Sequence, residues 1–352
     1  MLFKIKQKQY KIIPRYYLLL NMKLKYSGCF SIIDNNQKTN IDQNKCSDIS
    51  DYNLITHGHS DHISTSQQQT FTTKETAALI NLCTQKELNY SFVNGQALDL
   101  TDNIKLSSLD AGHILGSKMF YLESKDKSIL YTGDFKTQDS LLFDGAKPKS
   151  ADILIMETTF GKKEFVFPKR EKVYEDFAEL ISKDIKNNRL IIIGAYSLGK
   201  SQELIKFVNN YLKETPLVTK KAFEFSKVYE DFNVSLGKYE LLNHNISEYN
   251  ILIVPMNLIN KDLIRSLEHQ QNRKVSSYLA TGWKHYRSGK CVPISDHCDY
   301  NDLLDFVRAV NPKQVLTMHG FSEEFSKSIT KELGIWSRPI KDLNQFSISD
   351  FL

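Results

Sequence analysis

The chain has 352 residues, 41% of them apolar and 25% charged, with a formal net charge of +5. That length can bury a large core and form more than one domain, and the composition excludes a globally disordered or fibrous chain. The charge excess is matched by Lys4, Lys6, Lys8, Lys11 and Arg15 within the first 21 residues, so global charge is no argument for a nucleic-acid partner and any basic groove must be local.

Residues 1–22 mix these basic side chains with Tyr10, Ile12, Ile13 and Leu18-Leu19-Leu20. The apolar run is too short to span a membrane and is interrupted by Pro14 and Arg15, and no small-residue cleavage site follows. The segment reads as a basic extension outside the fold. Five scattered cysteines (Cys29, Cys46, Cys83, Cys291, Cys298) form no CxxC pair. They read as reduced thiols in a cytoplasmic protein.

From Lys23 to Asp34 the pattern reads as a strand ending at an acid. Tyr52–Ile55, a short apolar strand, runs into His57-Gly58-His59-Ser60-Asp61-His62. Imidazole nitrogens and carboxylate oxygens suit Zn²⁺ and similar ions, and on a strand-end loop His57 and His59 can point one way and Asp61 and His62 another. One loop can then serve two adjacent metals, an arrangement that clamps water and phosphate together. Residues 72–85 have helical spacing. Three further segments each place an ionisable residue after an apolar strand or between glycines: His113 in Gly112-His-Ile-Leu-Gly116, Asp134 in Gly133-Asp-Phe135, and Glu157 after Ile153–Met156.

Past Gly161 the texture changes. Residues 168–187 read as an amphipathic helix, 189–195 as a buried strand, and Gly199-Lys200-Ser201 opens a further helix. The glycine spacing around Lys200 lacks the full phosphate-loop pattern, yet a helix start carrying Ser197, Lys200 and Ser201 could grip a backbone phosphate. Strands at 250–254 and 276–280, with a helix between them, complete a small α/β unit. The tail again sets ionisable residues beside apolar segments. Ser295-Asp296-His297-Cys298-Asp299 precedes a helix, and a strand at 314–318 ends in His319-Gly320 before a last helix. His244, His269 and His285 sit in polar surroundings and read as surface residues.

His57-x-His59-x-Asp61-His62 followed by His113, Asp134 and His319 resembles the metallo-β-lactamase superfamily. Glu157, His297 and His319, separated by an inserted α/β unit, resemble its β-CASP branch of nucleases. The resemblance covers about residues 23–345. It implies a four-layer αββα sandwich with an inserted β-CASP domain: core residues 23–161, insert 162–290, closing core 291–352. It implies two Zn²⁺ ions, with Mn²⁺ as an alternative. His57, His59 and His113 would bind one; Asp61, His62 and His319 the other; Asp134 would bridge. Asp34 resembles the family's first-strand aspartate, which braces the metal loop. Glu157 and His297 match the first two β-CASP motifs, His297 as general acid and Glu157 as its partner.

The implied activity is hydrolysis of nucleic-acid phosphodiesters. A histidine at position 319, where Artemis-type enzymes usually carry valine, points to the RNA-processing and ligase-associated branches. The Ala280-Thr-Gly-Trp283 turn before Ser-Asp-His looks most like the ligase-associated exonucleases. The expectation is a DNA exonuclease on single strands, working with repair or processing partners. An RNA-processing nuclease is the alternative. A small-molecule metallo-hydrolase and an inactive binding subunit are the other rivals.

Overall fold

The computed structural model describes residues 23–44, 49–65, 68–242, 245–284, 289–342 and 345–347. The expected basic extension, Cys46, His244 and His285 lie outside them; His269 is exposed.

The first half of the chain supplies β1 (Lys23–Tyr26), β2 (Phe30–Asp34), β3 (Gln37–Ile41), β4 (Tyr52–Leu54), β5 (Gln69–Thr72), α1 (Lys74–Thr84), β6 (Tyr90–Phe92), β7 (Leu98–Asp99), β8 (Lys105–Asp110), β9 (Lys118–Glu123), β10 (Ser128–Tyr131) and β11 (Ile153–Glu157). The single strand expected over 23–34 is a hairpin, because Ser27-Gly28 turns the chain and pairs Lys23 with Ile33. After a long insertion, α6 (Tyr300–Val310), β18 (Gln314–Met318), α7 (Ser322–Leu333), β19 (Trp336–Pro339) and β20 (Gln345–Ser347) close the core. Two seven-stranded sheets result, ordered β20-β1-β2-β3-β4-β5-β6 and β19-β18-β11-β10-β9-β8-β7.

The alternating apolar positions of both sheets meet in one core containing Leu24, Ile32 and Leu54 from one side and Phe120, Ile129, Ile155 and Leu316 from the other. The outer face of the second sheet (Met119, Leu130, Leu154, Met156) is covered by Leu303, Phe306, Val307, Phe325 and Ile329 of α6 and α7. Ile80 of α1 covers Ile55 and Ile63 beside the first sheet. These layers make the αββα sandwich.

The insertion contributes α2 (Arg170–Lys186), β12 (Leu190–Ala195), α3 (Lys200–Phe207), β13 (Leu217–Val218), α4 (Lys220–Asp231), β14 (Glu240–Leu241), β15 (Ile251–Pro255), α5 (Lys261–Gln271), β16 (Val275–Ala280) and β17 (Lys290–Val292). Its six strands pair in parallel. Helices cover both faces, so the central strand Leu190–Ala195 is buried throughout and reads as an unbroken apolar run. Parallel pairing of β17 with β16 carries this sheet to Val292, two residues beyond the expected end of the insert at 290. Ile114 and Leu115 of the core pack into the insert's cluster with Val173, Phe177 and Ile205.

Parallel register sets the site. β10, β11 and β18 are neighbours, with Tyr131 opposite Ile155 and Glu157 opposite Met318. The residues at or just past their C-terminal ends, Asp134, Glu157 and His319, therefore emerge along one rim.

Candidate metal centre and cleft

His57 and His59 follow β4 on the loop that opens at this rim. His57 Nε2 lies 3.1 Å from His59 Nδ1, and His59 Nδ1 lies 3.1 Å from His113 Nε2. Asp134 Oδ2 is 3.6 Å from His57 Nε2 and 3.8 Å from His113 Nε2. Ligands at the corners of a tetrahedron with zinc–nitrogen bonds of roughly 2.0–2.1 Å stand ~3.3 Å apart. The four side chains match that spacing and could hold one ion.

The outward nitrogens strengthen the fit. His113 Nδ1 faces the Asp296 carbonyl at 2.8 Å, and a carbonyl only accepts, so Nδ1 carries the proton. His59 Nε2 faces the Leu198 carbonyl at 3.4 Å with the same consequence. His57 Nδ1 is 2.9 Å from Thr56 Oγ1, whose own proton goes to Asp42 Oδ2 at 2.8 Å, so Nδ1 again donates. Each ring, when neutral, thus turns a lone pair inward. Burial, with repulsion from neighbouring rings, holds His57 and His113 well below the ordinary imidazole range and lowers His59 as well. The lone pairs of His57 and His113, each 3.1 Å from that of His59 with no proton between, are repulsive until a cation joins them.

Asp134 sits after Gly133, whose φ of +54° is left-handed and whose Cα is so close to Thr56 that a Cβ would meet its Oγ1 at 2.6 Å. Burial opposes the Asp134 charge, but His62, His297, His57 and His113 outweigh it and hold the carboxyl well below its usual range.

The residues expected as a second ligand set are more loosely arranged. His62 Nε2 lies 3.6 Å from Asp134 Oδ2 and 3.9 Å from Asp61 Oδ2, and the Asp61 side chain is 75% exposed. The His319 ring stands 5.7 Å from that of His62. His319 is exposed and has a left-handed φ of +56°, a conformation that strains a non-glycine residue. Thr158 Oγ1 holds its carbonyl at 2.8 Å.

Asp34 does not brace this loop. It is buried at the β2–β3 turn, accepting from Thr101 Oγ1 at 2.6 Å and from Asn103 Nδ2 at 3.3 Å. The aspartate that contacts the His57–His62 loop is Asp42, missed in the sequence because it follows a polar strand, Gln37–Ile41. Its left-handed φ of +50°, which aspartate tolerates, turns the carboxylate inward. Oδ1 accepts from Thr56 N at 2.9 Å, Oδ2 accepts from Thr56 Oγ1, and Oδ2 forms an ion pair with His62 Nδ1 at 3.1 Å. Burial opposes a charge on His62, yet Asp134, Asp42 and Asp61 together push it up to about 10.

On the opposite side of the rim, His297 Nδ1 lies 2.9 Å from Glu157 Oε1. Glu157 is fully buried and its Oε2 accepts from Thr159 N at 2.7 Å. Burial disfavours the imidazolium, but Glu157 and Asp134 outweigh it and push His297 up to about 9. The His297 ring lies 5.0 Å from that of His113 and is 23% exposed at a cleft of about 280 Å³. Tyr196, 58% exposed, and Trp283 line the same cleft. Trp283 also packs on Phe160 and Phe165.

Two of the three residues expected to grip a phosphate, Lys200 and Ser201, have side chains engaged elsewhere. Lys200 is buried, with Nζ 2.6 Å from Asp296 Oδ1. Ser201 Oγ is buried and donates to the Tyr196 carbonyl. Ser197 is half-buried, its carbonyl accepting from Gln202. Lys200 belongs instead to a buried cluster with Lys136, Arg170, Glu203 and Asp296. Burial opposes the Asp296 charge, but Lys200, Lys136 and Arg170 outweigh it and pull Asp296 down to about 2. Spacing alone could not separate a lysine aimed at a ligand from one aimed at a carboxylate nearly a hundred residues away.

Among the described residues no helix is long and apolar enough to cross a membrane. Cys83 and Cys298 are free thiols.

Residues 290–337, covering α6, β18 and α7, match a family described as "Zn-dependent metallo-hydrolase RNA specificity domain". Over 305 residues the chain is 32% identical to a "Probable DNA ligase" of Opitutus terrae, covering 84% of this chain and 29% of that one. It is 29% identical over 187 residues to an "RNase J-like protein" of Methanocaldococcus jannaschii, covering 47% of this chain and 44% of the relative. It is 23% identical over 331 residues to an "Integrator complex subunit 11 homolog" of Dictyostelium discoideum, covering 74% and 44%. The chain thus spans less than half the length of each of these relatives. Histidines converging at the rim of an αββα sandwich, a parallel insert facing them, and these similarities together identify the family: the chain belongs to the β-CASP branch of the metallo-β-lactamase superfamily.

Proposed function

We propose that the chain is a zinc-dependent nuclease that hydrolyses phosphodiesters of single-stranded nucleic acid. The observation that carries this reading is the Glu157–His297 pair standing beside the histidine cluster, since a hydrolase for small uncharged esters needs no second acid of this kind. His57, His59, His113 and Asp134 would hold one zinc, and Asp61, His62 and His319 with Asp134 a second. Bound there, zinc supplies acidification of a water and neutralisation of charge on a phosphate oxygen.

The chain's own groups do the rest. Glu157 accepts from His297 Nδ1, fixes the ring, and keeps the imidazolium populated at neutral pH. His297 then gives its proton to the 3′-oxygen as it leaves, so that the product carries a 5′-phosphate. Tyr196 offers an aromatic face to a base in the cleft.

DNA is the favoured substrate, with exonucleolytic action, supported by an alignment to the Opitutus terrae protein over 84% of the chain. RNA is the second reading, favoured by the match over residues 290–337. The test is degradation of 5′-labelled single-stranded DNA and matched RNA by the zinc-loaded chain, beside Asp134→Asn and His297→Ala. Loss of DNA cleavage in both variants supports the reading. Cleavage of RNA alone moves the protein to the RNA branch with the same chemistry. No cleavage of either by zinc-loaded protein sinks the proposal.

A further inference from the structure

Two backbone carbonyls orient the rings of the histidine cluster, and both come from beyond the first core segment. One is Leu198 O, two residues before α3 of the insert and 3.4 Å from His59 Nε2. The other is Asp296 O, 2.8 Å from His113 Nδ1. The segments carrying them are joined by one ion pair. Lys200 opens α3, and its Nζ lies 2.6 Å from Asp296 Oδ1, the two side chains being 3% and 8% exposed. Neighbouring charges hold the same junction: Arg170 Nη2 donates to the Ser295 carbonyl, Arg170 Nη1 lies 3.8 Å from Glu203 Oε1, and Tyr174 donates to Glu203. A buried charge that loses its partner is costly, so these segments hold their places together.

We infer that Lys200 is a positioning residue for the metal centre and that insert docking and zinc binding are coupled through it. The inference rests on the cluster being a zinc site, as proposed above. With the pair intact, the Asp296 and Leu198 carbonyls hold protons on the outward nitrogens and aim the lone pairs of His113 and His59 inward. With Lys200 replaced by a neutral side chain, Asp296 is a buried carboxylate without its ion-pair partner. The 294–297 segment then shifts toward water and His113 loses its partner. Coupling is reciprocal: zinc that fixes His59 and His113 stiffens the segments behind them.

The test is the zinc affinity of the full chain, read by competition with a chromophoric chelator, for the natural protein, Lys200→Met and Lys172→Met. Lys172 pairs with Asp176 on the exposed side of α2 and serves as the control. Hydrogen exchange of the natural protein with and without zinc is the second measurement and needs no variant. The expected result is affinity weakened about 10- to 100-fold in Lys200→Met and unchanged in Lys172→Met. Zinc is also expected to slow exchange at 196–204 and 294–298. Zinc bound as tightly by a folded Lys200→Met, or protection confined to 55–62, overturns the inference while leaving the zinc site standing. A natural protein that takes up no zinc overturns both. If Lys200→Met does not fold, the exchange pattern decides.

Discussion

Replacing Asp42 by asparagine separates the two aspartates that could brace the metal loop. Asp42 accepts two hydrogen bonds from Thr56 and pairs with His62, and its side chain is 4% exposed. Asparagine keeps one oxygen for Thr56 N but turns an amide donor toward Thr56 Oγ1 and the Nδ1–H of His62. One or two charge-assisted bonds are lost, at about 1.5–3 kcal/mol each, so the metal-free protein should lose about 1.5–6 kcal/mol. His57 and His62 both lose the partner chain that fixes their tautomers, so zinc affinity should fall about 10- to 100-fold. Asp34→Asn is the comparison. It weakens the bonds to Thr101 and Asn103 and should cost about 1–2 kcal/mol, with zinc affinity unchanged. Urea unfolding of chelator-treated protein gives the first quantity, and dye competition gives the second. Weakened zinc binding in Asp34→Asn with none in Asp42→Asn would refute the argument.

Glu157→Gln removes the carboxylate that raises His297. A raised imidazole is protonated below its pKa and loses the proton as pH rises through it, so the alkaline limb of kcat/KM should move at least about one unit toward acid; an unmoved limb excludes His297 as the acid. Gly133→Ala places a Cβ against Thr56 in a left-handed backbone and should destabilise by about 2 kcal/mol or more, measured by urea unfolding. His59→Ala should lose the tightly held zinc, whereas His319→Ala, from the looser set, should keep one equivalent after dialysis; metal analysis of the two proteins decides.

Much of the candidate site was legible in the sequence because strand-end residues announce themselves. His57, His113, Asp134, Glu157 and His319 each follow an apolar run or stand between glycines, and parallel strands ending together bring such residues to one rim. Asp42 gave no such signal: it follows a polar strand, and only the left-handed turn after Ile41 aims it at Thr56. Lys200 gave a misleading one, since a glycine-lysine-serine start to a helix looks the same whether the lysine meets a phosphate or Asp296.

The sequence by itself determined which residue types could chelate, the alternation that makes two facing sheets, and the apolar run that makes a buried parallel strand. These depend on local periodicity and on side-chain chemistry. Tertiary structure alone decided which aspartate braces the loop, which nitrogen of each histidine turns inward, and where Lys200 directs its charge. Those outcomes depend on distances of about 3 Å between residues far apart in the chain, and a periodic pattern carries no information about such distances.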